Sequence, residues 1–336
     1  MASNLQEFLD CFSALGGIAD NICQKEGETG RGLYPIDSSR TSKIMTPSNL
    51  LVNARSFSLE NGEIVIKANT SNSSEEIDFL ERYYNECSWG NNGNSDSAAF
   101  LQFICSLPES IRNKLIKNQF IGDDILGYSQ NEDHLLKRFI RERFVKFKGE
   151  YVLAPVWEFV NHSSFAHPLR ISPYGVETPL IEPSSNEILF KYSAMNSSMS
   201  VWRNYGFACS CIFAYSVPFD IKQYGHSLAV RCHGKQKLNS KGKGSFFVEG
   251  DTLFIDSLLV GCSSPDLPLE NFKSILSCVG LSSNSAHELF SEIHEVNAMV
   301  RRDLVNDIIG MKLSVKSELH KALDYEIQMI QNSSIN

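Results

Sequence analysis

Two stretches decide the reading of this chain: Leu153–Ser164, LAPVWEFVNHSS, and Tyr192–Phe207, YSAMNSSMSVWRNYGF. The first ends an apolar run on an Asn-His pair, Asn161-His162, and the second closes on a Tyr-Gly-Phe turn, Tyr205-Gly206-Phe207. Singly they say little, because a buried tyrosine or a lone histidine is usually a core residue with its polar atoms satisfied. Their order along the chain, and what flanks them, carries the information.

Working outward, Leu5, Phe8, Leu9, Phe12 and Leu15 recur at helical spacing and Gly16-Gly17 stops the run, which predicts an amphipathic opening helix. Gln24–Ile36, QKEGETGRGLYPI, predicts a glycine-bracketed turn leading into an apolar strand. Gly30 and Gly32 carry no β-carbon and so let a backbone pass close to a bulky ligand, although a plain hairpin is the commoner reason for a lone GxG. Ile44–Val52 and Phe57–Ala68 read as strands, the latter ending in the alternating EIVIKA, and Asn69–Glu76 reads as a polar loop.

From residue 77 to 145 the period changes: Ile77, Leu80, Tyr84, Phe100, Leu101, Ile104, Leu107, Ile111, Leu115, Leu135 and Phe139 recur mostly at three to five residues, a helical pattern. The polar run Trp89–Ser97, WGNNGNSDS, reads as a break within it. Short strands and turns return after Tyr151 and last to about residue 262; the lysine-bearing Gly234–Ser245 within them predicts a solvated hairpin tip. In the tail, Leu289, Ile293, Val296, Val300 and Leu304, then Leu319, Leu323, Ile327 and Ile330, predict two amphipathic helices that pack as a small bundle. The expected fold class is therefore α+β, with a β-rich domain at 1–264 holding a helical insertion at about 77–145, and a helical domain at 265–336.

Composition narrows the function classes. With 336 residues, 42% of them hydrophobic, the chain can bury one large core or two smaller ones. A formal charge of −8 and a pI near 5.6 argue against nucleic-acid binding by bulk electrostatics. No window reaches the roughly 18 apolar residues of a membrane span, and the first residues lack the pattern of a secretory signal, so no membrane association is expected and the cytoplasm, with the nucleus second, is the expected address. The nine cysteines are scattered without a CxxC pair, which signals neither a disulfide frame nor a zinc cage; Cys209-Ser210-Cys211 is the nearest approach to a ligand pair, and no metal is expected. The oligomeric state is left open.

The order of strands, helical insertion, Asn-His, Tyr-Gly-Phe and helical tail resembles SET-domain protein methyltransferases, and among them the subfamily of ribulose-bisphosphate carboxylase large-subunit lysine methyltransferases, over nearly the whole chain. The resemblance implies a β-rich pseudo-knotted SET core with a helical insertion and a helical C-terminal lobe that binds substrate. It implies S-adenosyl-L-methionine as cofactor and a protein lysine as acceptor, with histidine as the second choice. Gly30, Arg31 and Gly32 then lie against the cofactor, and Asn161 and His162 hold its adenine and methionine parts. An Arg-aromatic step also reaches it, best matched by Arg143-Phe144, with Arg141 and Arg138 open. Tyr205 takes the place of the catalytic tyrosine, Tyr192 lines the same channel, and Tyr174 is a candidate substrate-facing phenol. The chain departs from the family pattern at Ser193, where a glycine is usual, at Glu158, where aspartate is commoner, and in one extra residue between Tyr192 and Phe207. The alternative is a catalytically silent SET-fold module that binds a protein partner.

Methyl transfer from a sulfonium is an in-line displacement, so such a site must mainly align amine, methyl and sulfur in a narrow dry channel. The obstacle is the proton on the acceptor: a lysine with pKa near 10.4 costs ~4.6 kcal/mol to neutralise at pH 7. An apolar channel beside a positive sulfonium lowers that cost. A tyrosine hydroxyl suits it, because it orients the amine lone pair without bringing a charge of its own.

Overall fold

The computed structural model describes residues 5–27, 30–67, 72–122, 132–192, 197–222, 229–232, 246–249, 252–278, 280, 283–311 and 316–333. Helices and strands are mixed, as an α+β chain requires, and they fall into two compact units: residues 1–102 with 128–194, and residues 103–127 with 195–336. These units divide the chain at other places than the changes of apolar period do.

The first unit opens on helix Leu5–Ala14, which buries Leu5, Phe8, Leu9 and Phe12, the one-sided spacing expected of an amphipathic helix. Gly16, left-handed at φ +91°, ends it, and Gly17 lets the chain pass close to Phe12, where a β-carbon would lie 2.4 Å from the ring. Strands follow: β1 (Ile18–Asp20), β2 (Ile22–Gly27), β3 (Gly30–Pro35), β4 (Lys43–Pro47), β5 (Val52–Asn53), β6 (Phe57–Glu60) and β7 (Glu63–Ile66). After the helical segment come β8 (Phe144–Phe147), β9 (Glu150–Leu153), β10 (Asn161–His162), β11 (Arg170–Ser172), β12 (Gly175–Glu177) and β13 (Leu189–Phe190). The strands make small sheets: β1-β4-β12-β11, the hairpins β2-β3 and β6-β7, and β5-β9-β8. β10 and β13 instead pair in parallel, with Asn161 opposite Leu189 and His162 opposite Phe190. The core between them includes Phe12, Leu33, Ile44, Leu50, Val52, Leu80, Tyr83, Phe139, Leu153 and Val160.

Two local expectations are corrected. The loop expected at Asn69–Glu76 gives way at Ser74 to helix Ser74–Tyr83, started by a capping box in which the Ser73 hydroxyl accepts from the Glu76 amide and the Glu76 carboxylate from the Ser73 amide. The polar run Trp89–Ser97 is not a break but the continuation of that helix, in a wide π form over Tyr84–Gly93 and then as Asn94–Ser106. Glu81, Asn85 and Trp89 of this continuous helical segment reach the open edge of the β6-β7 hairpin. The Asn85 amide accepts from Ile64 N–H at 2.7 Å and donates to Ile64 C=O at 2.9 Å, Trp89 Nε1 donates to the Gly62 carbonyl, and Glu81 accepts from Ile66 N–H. Edge groups that would otherwise lose water are satisfied by side chains that look loop-like in sequence. A β-carbon at Gly90 would sit 1.8 Å from the Asn85 carbonyl oxygen, so the wide turn itself demands glycine.

The second unit contains helices Glu109–Lys117, Ser198–Tyr205, Leu267–Cys278, Ser283–Ile309 and Lys316–Asn332. Its strands are β14 (Phe213–Tyr215), β15 (Phe219–Lys222), β16 (Ala229–Cys232), β17 (Phe246–Glu249), β18 (Thr252–Ile255) and β19 (Leu259–Cys262), arranged as the sheet β15-β16-β18-β17 and the pair β14-β19. The lysine-bearing Gly234–Ser245 lies outside the described residues. Gly261 admits the last helix against β19, since a β-carbon there would lie 2.7 Å from the backbone of Met329 and Ile330. The two tail helices are tied by an ion pair that is only 1% exposed on each side, Arg301 with Glu326 at 2.7 Å. Arg301 also donates to the carbonyls of Tyr215 and Asn297, and the second Glu326 oxygen accepts from Met199 N–H at the start of helix Ser198–Tyr205.

A buried pair with its hydrogen bonds made contributes little net stability, whereas removing one member strands the other charge. Glu326→Ala is therefore expected to lower unfolding free energy by about 3–5 kcal/mol, read as the shift of the urea midpoint at unchanged slope. A shift below about 1 kcal/mol would mean that Arg301 finds water when Glu326 is gone.

Candidate functional site

In the first unit the fold brings together residues far apart in sequence. Asn161, at the start of β10, points its amide nitrogen at two acceptors: the Arg31 carbonyl on β3 at 3.2 Å and the Glu187 carboxylate at 2.6 Å. Gly32 lies against the same two side chains, Glu187 and Asn161. The Arg31 guanidinium lies 5.9 Å from the centre of the Phe159 ring, two residues before Asn161. Gly30 pairs with Gly27 at the end of the β2-β3 hairpin, so both glycines of the GxG lie on the strand, and the tip of the turn lies outside the described residues.

His162 faces the chain that follows β13. Its Nδ1 accepts from the Tyr192 backbone N–H at 3.1 Å, its Nε2 lies 3.4 Å from the Ser164 hydroxyl, and the rings of His162 and Tyr192 are 4.9 Å apart. An Nδ1 that accepts must carry its proton, in the neutral form, on Nε2. The Tyr192 hydroxyl donates to the Val160 carbonyl at 3.1 Å. The parallel β10-β13 pair is what sets this geometry, since it places the segments before Tyr192 and after Val160 side by side.

Arg143 sits in a different setting. Its Nε donates to Glu158 and its Nη1 to Glu142, both at 3.0 Å, and its guanidinium stacks 4.2 Å from the Phe139 ring. Burial works against its charge, but Glu158 and Glu142 outweigh it and hold the guanidinium protonated. Arg138, buried, bonds Glu142 at 2.6 Å and lies over the Phe100 ring; Ser88 donates to Glu158 and Ser97 to Glu142. Of the three arginines weighed from sequence, Arg138 and Arg143 thus belong to an internal ion network, and Arg141 is half-buried at the end of helix Glu132–Arg143. Beside this network Val156 takes φ of +76°, a left-handed backbone costing a β-branched residue on the order of 1–3 kcal/mol, and its N–H donates to the Tyr83 hydroxyl at 2.8 Å.

Tyr174 is 78% exposed at the tip of the β11-β12 hairpin. Tyr205 belongs to the second unit, where it ends helix Ser198–Tyr205, with Gly206 as a left-handed cap at φ +83°. Burial pushes its phenol from 10.0 up to about 12, so the hydroxyl stays a neutral donor and acceptor through the physiological range. Ser193, where the chain departs from the family pattern, lies outside the described residues. Among the described residues no group of three or more His, Cys, Asp or Glu could hold a metal ion, and no helix is long and apolar enough to cross a membrane. Cys209 and Cys211 are not joined in a disulfide, their sulfurs lying 3.3 Å apart.

The residue that sequence reasoning missed is Glu187. It is one of two acidic residues in the polar run Glu182–Glu187, and nothing in its spacing distinguishes it from a solvated loop carboxylate.

No protein-family model and no curated protein matches the chain. Among solved structures, the chain is similar to the SET domain of LSMT bound to lysine and AdoHcy, with 13% identity over 97% of this chain and 89% of that one and a TM-score of 0.43. It is similar also to Rubisco LSMT bound to AdoMet, at 11% identity over 98% and 90% of the two chains and a TM-score of 0.44. Similarity at this level transfers no site residue.

The raised Tyr205 pKa has a sign that can be checked. Between pH 10 and pH 12 the unfolded chain gives up this phenolic proton and the folded chain keeps it, so stability is intact below pH 10 and falls as pH rises through that window. Urea unfolding followed from pH 9 to pH 12 should therefore show a steeper alkaline loss for the wild type than for Tyr205→Phe. Parallel curves would place the phenol in water.

Proposed function

We propose that the protein is an S-adenosylmethionine-dependent protein methyltransferase with a pseudo-knotted SET core, acting on a lysine side chain of a protein substrate, histidine being the second choice. What supports the reading is one convergence: Gly32 and Arg31 of the GxG strand meet Asn161 of the Asn-His pair, and His162 meets Tyr192, across separations of 130 and 30 residues. The motif order in the sequence asks for that meeting, and chance placement of so separated a set is a poor alternative.

The donor set fits the cofactor. Its amino-acid end carries an ammonium and a carboxylate; Asn161 brings a side-chain amide to strand β3, and the Arg31 guanidinium offers a cation to the carboxylate. When bound, S-adenosylmethionine supplies an activated methyl group. Within the first unit, strand β3 and Asn161 bind and orient and Tyr192 walls the channel; the role of orienting the acceptor amine goes to Tyr205 on the motif order alone, its hydroxyl being neutral at pH 7. Lysine deprotonation is favoured by an apolar wall rather than by a dedicated base. A silent, partner-binding relative is the second reading, favoured by the engagement of Arg143 with Glu142 and Glu158 in the interior.

Titration calorimetry with S-adenosylmethionine is expected to show binding that Asn161→Ala weakens by about 1–3 kcal/mol, the cost of leaving buried polar groups unmatched. Unchanged affinity in a folded variant would remove Asn161 from the site. Tyr205→Phe separates the enzyme from the silent relative: cofactor affinity should stay nearly intact while labelled-methyl transfer to protein in cell extract falls about a hundredfold, or about 2.7 kcal/mol of transition-state stabilisation. Transfer at the wild-type rate would end the catalytic reading of Tyr205.

A further inference from the structure

Gly32 and Glu187 are matched to one another. A β-carbon at position 32 would lie 2.0 Å from Glu187 Oε1, 2.8 Å from its carboxyl carbon and 3.1 Å from Asn161 Nδ2. Gly32 is not among the residues with positive φ, so its need for glycine is steric and not conformational. The carboxylate that fills the space is held by Asn161, and the chain that carries it by a backbone bond to strand β3. Asn161 Nδ2 donates to Oε1 at 2.6 Å, and the next backbone amide, Ile188 N–H, donates to the Leu33 carbonyl at 2.7 Å, one residue beyond Gly32.

This contact also decides which way the Asn161 amide faces. Its nitrogen points at the Arg31 carbonyl and the Glu187 carboxylate; turned over, its oxygen would face the same two acceptors with no proton between them. We propose that Glu187 is a positioning residue of the cofactor site, resting on the methyltransferase reading: its carboxylate, admitted only because residue 32 has no β-carbon, locks the Asn161 amide in one orientation against strand β3. The missing side chain at Gly32 thus makes room for Glu187 and not for the ligand. A β-carbon at 32 displaces the carboxylate, a flexible end that can swing away, and so produces the same defect as deleting it.

The test is a double-mutant cycle read by titration calorimetry with S-adenosylmethionine, each protein first checked for a cooperative thermal transition. Gly32→Ala and Glu187→Ala are each expected to weaken binding about tenfold, the scale of one charge-assisted hydrogen bond. The double variant is expected at about tenfold as well, because the second change removes nothing further. Glu187→Gln, whose amide oxygen still accepts from Asn161, should stay within about threefold of wild type. An additive double variant, weakened about a hundredfold, would show that Gly32 serves the ligand directly and overturn the proposal. A Glu187→Gln loss as large as that of Glu187→Ala would overturn it too, since charge and not positioning would then be acting. If the wild type binds no S-adenosylmethionine, the cofactor reading fails and the positioning role with it. The steric match is then still decided by Tm, which Gly32→Ala should lower and Glu187→Ala in the same chain should restore; no restoration would refute the match itself.

Discussion

One side-chain amide holds the first unit's two ends in register. Asn161 reaches 130 residues back to the Arg31 carbonyl and 26 residues forward to Glu187, and it does so from a strand only two residues long. Strand β10 is too short to be positioned by its own ladder, which pairs it in parallel with an equally short β13. The hydrogen bonds of Asn161 and His162 supply what the ladder cannot, and the buried Val160 anchors the pair from below. Everything proposed about the site depends on this junction staying closed.

The ion network next to it has a different office. Arg138, Glu142, Arg143 and Glu158 alternate in sign along a chain of contacts no longer than 3.0 Å, with serines 88 and 97 completing it, and they fasten helix Glu132–Arg143 to the turn that leads into β10. Such a network adds little net stability compared with apolar packing, but it tolerates only one arrangement of its members. The left-handed Val156 sits at the same turn, a local cost that the surrounding packing and the Tyr83 hydrogen bond must offset. The rigid parts of the unit therefore converge on the residues just before Asn161.

How much of this the sequence discloses depends on the kind of signal. The opening helix is legible because Leu5, Phe8, Leu9 and Phe12 repeat at one face's spacing, and so are the tail helices. The π-helical turn at Tyr84–Gly93 is not, because its asparagines and glycines resemble a loop, whereas Asn85 and Trp89 satisfy a hairpin edge that no local pattern announces. The order of motifs in the chain singles out Asn161, His162 and Tyr192, and the fold brings these three together, with the Tyr192 hydroxyl bonded to the Val160 carbonyl; Arg143, singled out the same way, is bonded instead to two carboxylates. Glu187 is illegible because what singles it out is a long-range contact with Asn161 and Gly32, and one of two carboxylates in a polar run carries no periodicity.

The central claim is that the junction of β3, β10 and the Glu187–Tyr192 segment is where S-adenosylmethionine binds. Amide hydrogen exchange, compared with and without saturating S-adenosylmethionine, tests it most directly, because protection follows the site whatever the substrate is. The account predicts slowed exchange in peptides covering residues 30–35, 160–164 and 187–192 together. Protection absent from all three, or confined to the tail helices Ser283–Ile309 and Lys316–Asn332, would contradict it.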